Sequence, residues 1–382
     1  MKQKLIIVGM VNSIHLARWV EHLYKFKKIE TYIFPVFPVE PHDLLKKISS
    51  IVDKKSNIHI IKLSSNYKFN LYFQKFLYLI FKKNFHLIWL KKSILRIKPK
   101  YIHSHELTTS SILCLNLKNI LKEKFPKWIV SNWGSELYYF YKFKKFKKKL
   151  KQILKFSNFY SAECDRDYIL ANKIGSNAKF LPCVLNSGGI KIKKIKKIKF
   201  LKTSLRKVIV VKGYQGLMGL GLFAIKALEK ISNQIKDYKI IVYSADKEVI
   251  EYYYKIKNKV KLNIKLYSSK EKLNVNQMYE IFSNSRIYIG ISKSDGVSTS
   301  FLEAMALGTF PIQSTTSCAN EWIENTKSGF LVKNNITHVS KKILKAIKDD
   351  YLVDNASKIN LNIIKKKADS NKIKIIVRNF YK

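Results

Sequence analysis

Two acidic residues in the last third of the chain have side chains and a spacing that suit sugar or nucleotide binding. Asp295 and Glu303 are eight positions apart in the segment 294–312, SDGVSTSFLEAMALGTFPI. The sequence predicts a strand that runs into a polar turn with Asp295, followed by a short helix that begins near Ser300. A helix N-terminus presents unpaired N–H groups to phosphate, and a carboxylate beside it can bind sugar or ribose hydroxyls.

The same segment allows a purely structural interpretation. Ser300 and Glu303 fit the S-x-x-E capping box, in which the glutamate only satisfies the start of the helix. Because this pattern is common, the two residues alone leave both interpretations open.

Predicted strands and helices alternate along the whole chain, and these elements position Asp295 and Glu303. Short β-branched runs are separated by longer segments of helical period, which indicates parallel sheets covered by helices on both faces. A length of 382 residues accommodates two such domains. The predicted fold class is therefore α/β, with two doubly wound Rossmann-like domains that face each other across a cleft.

Several segments together resemble one known family. In chain order they are residues 132–136, 186–189, 210–215, 294–312, 321–323 and 328–332. Their order and spacing are similar to those of the retaining glycosyltransferases of family 4, also called group 1. That family has the GT-B fold and includes enzymes of bacterial surface-polysaccharide biosynthesis.

The resemblance implies roles for the residues of the 294–312 segment. Glu303 would hold the ribose of the donor nucleotide, and Asp295 would contact the donor sugar as a catalytic residue. The family has Glu where this chain has Asp295, which is one methylene shorter. The N–H groups around Thr299 and Ser300 would face the diphosphate.

A cation is also expected at the start of the second domain, because the departing diphosphate carries negative charge. The resemblance assigns this role to Lys212, with Gly213 beside it as a donor-binding residue. The family's second basic position falls within 217–219, which has no Lys or Arg. Lys226 and Arg206 are weaker candidates for the second cation.

In the N-terminal half, His103 and His105 alternate along a predicted strand and point to the same side. With Glu106 they provide too few ligands for a metal site, so no metal is predicted. The resemblance implies instead that His105 approaches the donor sugar as a catalytic residue. A hydrogen-bonded structural histidine is the alternative.

Three further residues are predicted on the acceptor side. Asn12 and Ser13 follow the first strand, in a loop that faces the sugar and the acceptor in the family, although either could simply cap the next helix. Glu136 follows Trp133 in a segment where relatives have Asp. The single glycine of the first loop is not a dinucleotide fingerprint, which disfavours an oxidoreductase.

The domain boundary is predicted at a Gly-Gly turn followed by IKIKKIKKIKF at 190–200. We predict an acceptor-side domain over 1–185, a linker over 186–206 and a nucleotide-sugar-binding domain over 207–365. The C-terminal segment 366–382 is predicted to pack back on the N-terminal domain.

The charge of the chain is +47, from 73 Lys and Arg against 26 Asp and Glu. The 47% hydrophobic content excludes a disordered basic tail. Only six of the basic residues are Arg, which nucleic-acid recognition favours, so nucleic acid is not a predicted partner. The four cysteines form no C-x-x-C pair, which fits a reduced, cytosolic setting.

Two segments predict contact with an anionic membrane surface. Residues 141–156, YKFKKFKKKLKQILKF, place apolar residues at near-helical spacing among lysines, and residues 67–95 add aromatics between lysines. No run reaches the ~18 apolar residues of a spanning helix. We predict a cytoplasmic protein, peripheral on the cytoplasmic face of the inner membrane; alternatively, the apolar residues only pack on the sheet.

The predicted activity is that of a hexosyltransferase. A hexosyl unit would pass with retention from a UDP- or GDP-linked sugar to a lipid-linked or surface glycan of the lipopolysaccharide, O-antigen or capsule type, without a metal or other cofactor. The alternatives are a sugar-nucleotide epimerase or hydrolase on the same fold, and a non-catalytic module that binds anionic glycan or membrane.

Overall fold

The chain forms two compact units. A computed structural model describes residues 2–62, 67–271 and 273–382. One unit contains the chain up to Gly189 together with Asn371–Lys382, and the other contains Ile190–Ser370. Each has one sheet in which every registered strand pair is parallel. The prediction of two doubly wound α/β domains is therefore confirmed.

The N-terminal unit has a seven-stranded sheet of order β3-β2-β1-β4-β5-β6-β7. Its strands are β1 (Gln3–Gly9), β2 (Ile29–Pro35), β3 (Ile58–Ile60), β4 (Tyr101–His105), β5 (Lys127–Ser131), β6 (Phe159–Ser161) and β7 (Lys179–Phe180). Its first six helices are α1 (Ile14–Glu21), α2 (Asp43–Ile48), α3 (Tyr67–Ile97), α4 (Ser110–Leu121), α5 (Lys144–Phe156) and α6 (Asp165–Ile174).

The central strands are apolar because helices cover both faces of the sheet. In β1, Leu5 and Ile7 belong to a core shared with α1, whereas Ile6 and Val8 belong to a core shared with α3, α4 and α5. A strand buried on both faces reads as a continuous apolar run. That run marks β1 in the sequence.

The C-terminal unit has a six-stranded sheet of order β10-β9-β8-β11-β12-β13. Its strands are β8 (Val208–Lys212), β9 (Lys239–Ala245), β10 (Asn263–Ser268), β11 (Ile287–Gly290), β12 (Phe310–Ser314) and β13 (Phe330–Val332). Its helices are α7 (Ile192–Ile195), α8 (Gly221–Lys230), α9 (Lys247–Ile256), α10 (Val275–Asn284), α11 (Thr299–Ala306), α12 (Ile336–Lys348) and α13 (Asp350–Lys367).

The division between the units falls inside the segment predicted as a linker. Residues from Ile190 onward belong to the C-terminal unit. Ile192 and Ile195 of the short helix α7 are buried, as is Ile190, which bridges to Asp369. The alternation of Ile and Lys thus lets one side of this segment pack while its lysines remain outside.

The last helix, α14 (Ser370–Asn379), returns the chain to the N-terminal unit. Ile373, Val377, Phe380 and Tyr381 are buried in the core on the α1 side of the sheet. The end of the chain is therefore part of the N-terminal core.

None of the helices that the structure describes is both long and apolar enough to cross a bilayer.

Candidate functional site

Each sheet reverses its strand order at the first strand of its unit. β1 lies between β2 and β4, and β8 lies between β9 and β11. In open parallel sheets, ligands bind outside the carboxyl ends of the strands at such a switch point. Lys212 ends β8 and His105 ends β4. The switch point of each unit thus carries one of the predicted site residues.

In the C-terminal unit, Lys212 contacts the loop that precedes α11. Its Nζ atom lies 3.6 Å from Oδ2 of Asp295 and 3.4 Å from Oγ of Ser298. The side chains of Lys212 and Asp295 are each 28% exposed. The structure therefore brings the predicted cation and the predicted catalytic carboxylate together at a place that a ligand can reach.

The environment of Lys212 keeps its ammonium group charged. Burial alone lowers the pKa of Lys212, but Asp295 together with the hydroxyls of Tyr288 and Tyr214 outweighs burial and raises the pKa above its usual value. Lys212 is consequently a fixed positive charge at neutral pH.

Helix α11 begins directly after this loop. Ser298 is its extended N-cap residue and makes no side-chain capping bond, and Thr299 and Ser300 are its first two residues. The first N–H groups of a helix have no acceptor within the helix, and the helix dipole adds partial positive charge there. Thr299 and Ser300 thus contribute backbone donors beside Lys212.

Glu303 is not part of a capping box. Because α11 begins at Thr299, Glu303 is its fifth residue, whereas the capping-box glutamate is the third. The side chain is only 6% exposed. Burial raises the pKa of the nearby Tyr243 phenol, and Tyr288 and Glu303 raise it further. The interpretation of Ser300 and Glu303 as a capping box is therefore wrong.

Polar side chains on the strands next to Lys212 and Asp295 were not predicted from the sequence. Lys212 of β8 pairs with Tyr243 of β9, and Gly290 of β11 pairs with Gln313 of β12. A Cβ atom at Gly290 would lie 2.0 Å from Oε1 of Gln313 and 2.9 Å from the hydroxyl of Tyr288, so glycine leaves the room that both occupy. The available signal was a polar side chain inside a mainly apolar strand, namely Tyr243 in β9, Tyr288 in β11 and Gln313 in β12.

Gly213 has a packing reason to be glycine. A Cβ atom there would lie 2.7 Å from Cγ1 of Val242 and 2.8 Å from Cα of Ala245, both in β9. Its N–H donates to the carbonyl of Tyr243 at 2.8 Å. Gly213 therefore lets the loop after Lys212 run close against β9.

The two weaker candidates for a second cation have other partners. Arg206 is buried, and its guanidinium donates to the carbonyl of Ser285 at the end of α10 and to that of Leu307 at the end of α11. Lys226 lies on α8, and its Nζ atom is 5.3 Å from the ring centre of Tyr252. These contacts leave Lys212 as the cation paired with Asp295.

At the switch point of the N-terminal unit, two histidine rings lie side by side. The ring centres of His103 and His105 are 4.3 Å apart, which agrees with the prediction that both point to the same side. His103 is hydrogen-bonded through both nitrogens, to Tyr381 and Ser131. Neither nitrogen of His105 has a hydrogen-bond partner among the described residues. The alternative of a hydrogen-bonded structural histidine thus describes His103 and does not describe His105.

Both rings are neutral at physiological pH. Burial lowers the pKa of His105 to about 3, and burial together with His105 holds the pKa of His103 well below its usual value. A neutral imidazole can donate one hydrogen bond and accept another. The unpaired nitrogens of His105 therefore match a hydroxyl group better than an anion.

Glu136 is buried, and its carboxylate is bound by the backbone. It accepts hydrogen bonds from the N–H groups of Trp133 at 3.0 Å, Ser135 at 3.0 Å and Leu107 at 3.3 Å. Burial, with the nearby Glu106, outweighs these bonds and raises the pKa of Glu136 to about 7. Glu136 holds together the turns that follow β4 and β5.

Glu106, which was considered with His103 and His105 as a metal ligand, caps α4. Its carboxylate accepts hydrogen bonds from the N–H groups of Thr108, Thr109 and Ser110. Its backbone has φ of 72°. The carboxylate thus fills the N-terminal end of α4.

The first loop of the chain is a turn followed by a helix cap. Oγ of Ser13 accepts a hydrogen bond from the N–H of His15 at 3.2 Å at the start of α1, and Asn12 precedes it in an exposed turn. The acceptor-side roles of Asn12, Ser13 and Glu136 remain predictions.

The C-terminal unit is similar to a known family. Residues 192–366 match the family model described as "Glycosyl transferases group 1". This match covers just under half of the chain and contains Lys212, Asp295 and Glu303. No curated protein sequence matches the chain significantly.

Solved structures resemble the whole chain. HepE from Anabaena in complex with UDP covers 100% of this chain and 99% of its own, with a TM-score of 0.69 and 11% identity. Sucrose-phosphate synthase from Thermosynechococcus elongatus covers 100% and 98%, with a TM-score of 0.69 and 11% identity. A putative UDP-N-acetylglucosamine 2-epimerase from Listeria monocytogenes covers 96% and 95%, with a TM-score of 0.60 and 13% identity.

At these identities the structural likeness establishes the fold, which is GT-B. The group 1 match adds a sequence similarity that is confined to the C-terminal unit. Together they support a GT-B glycosyltransferase with a group 1 domain at residues 192–366.

Proposed function

We propose that the protein is a retaining hexosyltransferase that uses a UDP- or GDP-linked sugar. The acceptor is a hydroxyl of a lipid-linked or surface glycan, of the lipopolysaccharide, O-antigen or capsule type. The bond between the anomeric carbon and the diphosphate breaks, a bond from that carbon to the acceptor oxygen forms, and the acceptor proton is released. The observation that carries this proposal is the contact of Lys212 with Asp295 and Ser298 at the start of α11.

The C-terminal site suits a nucleoside diphosphate. Lys212 and the N–H groups of Thr299 and Ser300 provide positive charge and donors at one place, and partial burial strengthens both relative to bulk water. These groups meet the charge that develops on the leaving diphosphate, so the proposal includes no metal. Glu303, one turn further along α11, suits the ribose hydroxyls, and Asp295 suits a hydroxyl of the donor sugar.

The test is nucleoside diphosphate release by the purified protein with a panel of UDP- and GDP-hexoses, with and without glycan acceptors. We expect one donor to bind in calorimetry and its turnover to rise when acceptor is added. A well-folded protein that neither binds nor turns over any of these donors would refute the proposal.

The same experiment separates the alternatives. An epimerase or hydrolase would consume the donor at the same rate without acceptor, and the fold alone does not exclude it, because the similar Listeria structure is named as an epimerase. A non-catalytic binding module would keep its function in Glu303→Ala.

The proposal also places the protein at the cytoplasmic face of the inner membrane, as a peripheral protein. Helices α3, α4 and α5 pack next to one another on one face of the N-terminal sheet. None of the three contains Asp or Glu, and each contains Lys. An acid-free basic layer of this kind suits anionic headgroups.

The apolar residues of this layer divide between core and surface. In the segment around α5, Leu150 and Ile153 pack in the core, whereas Phe143 is 47% exposed. Helix α3 carries a stripe of exposed apolar side chains, namely Tyr72, Phe73, Phe76, Leu79 and Ile80. The side chains of residues 67–71 and 81–84 lie outside those that the structure describes. Packing on the sheet thus explains some of the apolar residues of α5. It does not explain the exposed stripe of α3, which we propose contacts the bilayer interface.

The membrane proposal is tested by flotation with vesicles that contain phosphatidylglycerol or only phosphatidylcholine. A triple Lys→Gln variant at Lys144, Lys148 and Lys151 of α5 should lose about 100-fold in affinity for anionic vesicles, since each lysine near the surface contributes about 1 kcal/mol. The matched control replaces Lys341, Lys345 and Lys348, which have the same spacing and charge on α12 of the other unit. Wild-type protein that stays in the pellet with anionic vesicles at low salt would overturn this part.

A further inference from the structure

The end of the chain forms part of the histidine site in the N-terminal unit. We propose that Tyr381, the penultimate residue, is a positioning residue for His105 and acts through His103. The inference rests on the proposed glycosyl transfer and on the role predicted there for His105, close to the donor sugar. It adds that this site is complete only when the C-terminal residues of the chain are in place.

Tyr381 is the centre of a buried hydrogen-bond chain. Nε1 of Trp19 donates to the Tyr381 hydroxyl at 3.0 Å, and that hydroxyl lies 2.7 Å from Nδ1 of His103. On its other side, Nε2 of His103 lies 2.8 Å from Oγ of Ser131. Tyr381 and His103 are 1% and 0% exposed. Four side chains from α1, β4, β5 and the C-terminus are thus joined without solvent.

The chemistry of the partners sets the direction of each hydrogen bond. An indole nitrogen can only donate, so the Tyr381 oxygen accepts from Trp19. Among the described contacts, Nδ1 of His103 is the acceptor within reach of the Tyr381 proton, and we assign that hydrogen bond from Tyr381 to His103. Because Nδ1 accepts, the single proton of the neutral His103 ring lies on Nε2 and is donated to Ser131. Tyr381 therefore selects one tautomer and one ring orientation of His103.

The orientation of His103 is passed on to His105 by ring contacts. The two imidazoles are 4.3 Å apart at an angle of 36°, and the indole of Trp19 contacts His105 edge-on at 4.9 Å. No hydrogen bond to the described residues orients His105 itself. Trp133 contacts His105 at 6.3 Å, and the two nearer rings, Trp19 and His103, are the side chains that Tyr381 joins.

The test compares Tyr381→Phe with Tyr101→Phe. The first variant keeps the ring and removes the hydroxyl from the hydrogen-bond chain. The second removes a hydroxyl that also contacts the C-terminus, at 3.4 Å from the carbonyl of Lys382, but that has no bond to either histidine. Measured quantities are kcat and KM for transfer, the dissociation constant for UDP or GDP, and the ¹⁵N NMR signals of the histidine rings.

For Tyr381→Phe we expect kcat to fall about 10-fold or more, because a small displacement of a reacting group has large effects. The dissociation constant for the nucleotide should stay at the wild-type value, and the His103 nitrogen signals should move. Tyr101→Phe should match the wild type in all three measurements. Wild-type kcat in Tyr381→Phe, or unchanged His103 signals, would overturn the inference.

Ser131→Ala provides a second variant in case Tyr381→Phe does not fold. It removes the acceptor at the other end of the chain, so kcat should fall and the Nε2 signal of His103 should move; unchanged values would overturn the inference. A wild-type protein that turns over no donor would overturn the proposed function instead, and the histidine signals would still test the hydrogen-bond chain.

Discussion

The two units place chemically opposite groups at equivalent positions of their sheets. In each unit, a strand at the switch point is followed by a loop and a helix: β4 and α4 in the N-terminal unit, and β11 and α11 in the C-terminal unit. At the start of α4, the backbone N–H groups are bound by the chain's own Glu106. At the start of α11, the N-cap side chain of Ser298 makes no such bond, and Lys212 lies beside it.

This difference decides which unit can receive an anion. The positive end of α4 is filled internally, and the neighbouring His103 and His105 are neutral and buried. The positive end of α11 has a charged Lys212 next to it, with partial exposure to solvent. One fold therefore carries a neutral, buried histidine pair in one unit and a partly exposed cationic group in the other.

The largest effect is expected from Lys212→Ala, which removes the charge from the C-terminal site. Preorganised charge on a developing anion contributes about 10²–10³ in rate, so kcat/KM for the donor should fall by that factor. The control is Lys226→Ala on α8, whose Nζ atom lies over Tyr252. If both variants retain wild-type kcat/KM, the charge of Lys212 does not contribute to catalysis and the prediction is wrong.

The next effect concerns the buried carboxylate of Glu136 in the N-terminal unit. Its folded pKa of about 7 lies above the ordinary value of 4.5. The proton is bound more tightly in the folded state, so the stabilisation is fully present below about pH 4.5 and is lost as the pH rises through 7. A shift of this size corresponds to about 3 kcal/mol in the free energy of unfolding.

Glu136→Gln isolates this contribution. His103 and His105 act in the opposite direction, because their lowered pKa values cost stability as the pH falls below 6.5. Both histidines are present in wild type and variant, so their contributions cancel in the difference. Urea unfolding at pH 5, 6, 7 and 8 should show the stability of the variant rising relative to wild type with increasing pH. A difference that is constant over this range would contradict the prediction.

The comparison of the units also shows what could be predicted from sequence. Apolar strand runs predicted both sheets, since parallel strands buried on two faces carry a local pattern. The proximity of Lys212 to Asp295 was predictable because Lys212 ends β8 and Asp295 follows β11, its neighbour at the switch point. The first residue of α11 was not predictable, since Ser298 and Ser300 are both suitable N-cap residues. With Ser300 as the N-cap, Glu303 would be in the capping-box position; with Ser298 as the N-cap, it is not.

The remaining site residues depend on contacts that have no local signature. Tyr243 and Gln313 reach the site through the register of four strands, which a single sequence does not determine. Tyr381 is 278 positions from His103 and is brought there by the return of α14 to the first unit. Such residues are found only when the tertiary packing is known.

Glu303→Gln tests whether the carboxylate of α11 is used for binding. Hydrogen bonds to a charged group contribute about 1.5–3 kcal/mol, so donor affinity should fall by roughly 10- to 100-fold. Glu324→Gln in the same unit is the control, because its carboxylate is 63% exposed and pairs only with Lys327 on the surface among the described residues. Calorimetry with the nucleoside diphosphate measures both; equal affinities would remove Glu303 from the proposed site.

The smallest effect is expected for Ser298→Ala, which addresses the difference between the two helix starts directly. The Ser298 hydroxyl makes no capping bond in α11; it lies 3.4 Å from Nζ of Lys212 and also interacts with the Tyr288 hydroxyl. Loss of one weak hydrogen bond corresponds to about 1 kcal/mol, so the dissociation constant for the donor should rise about 5-fold. The melting temperature should stay within about 2 °C of wild type, because no helix cap is lost. A large drop in melting temperature with unchanged affinity would show that Ser298 supports the helix, as Glu106 supports α4, and would remove the contrast between the two units.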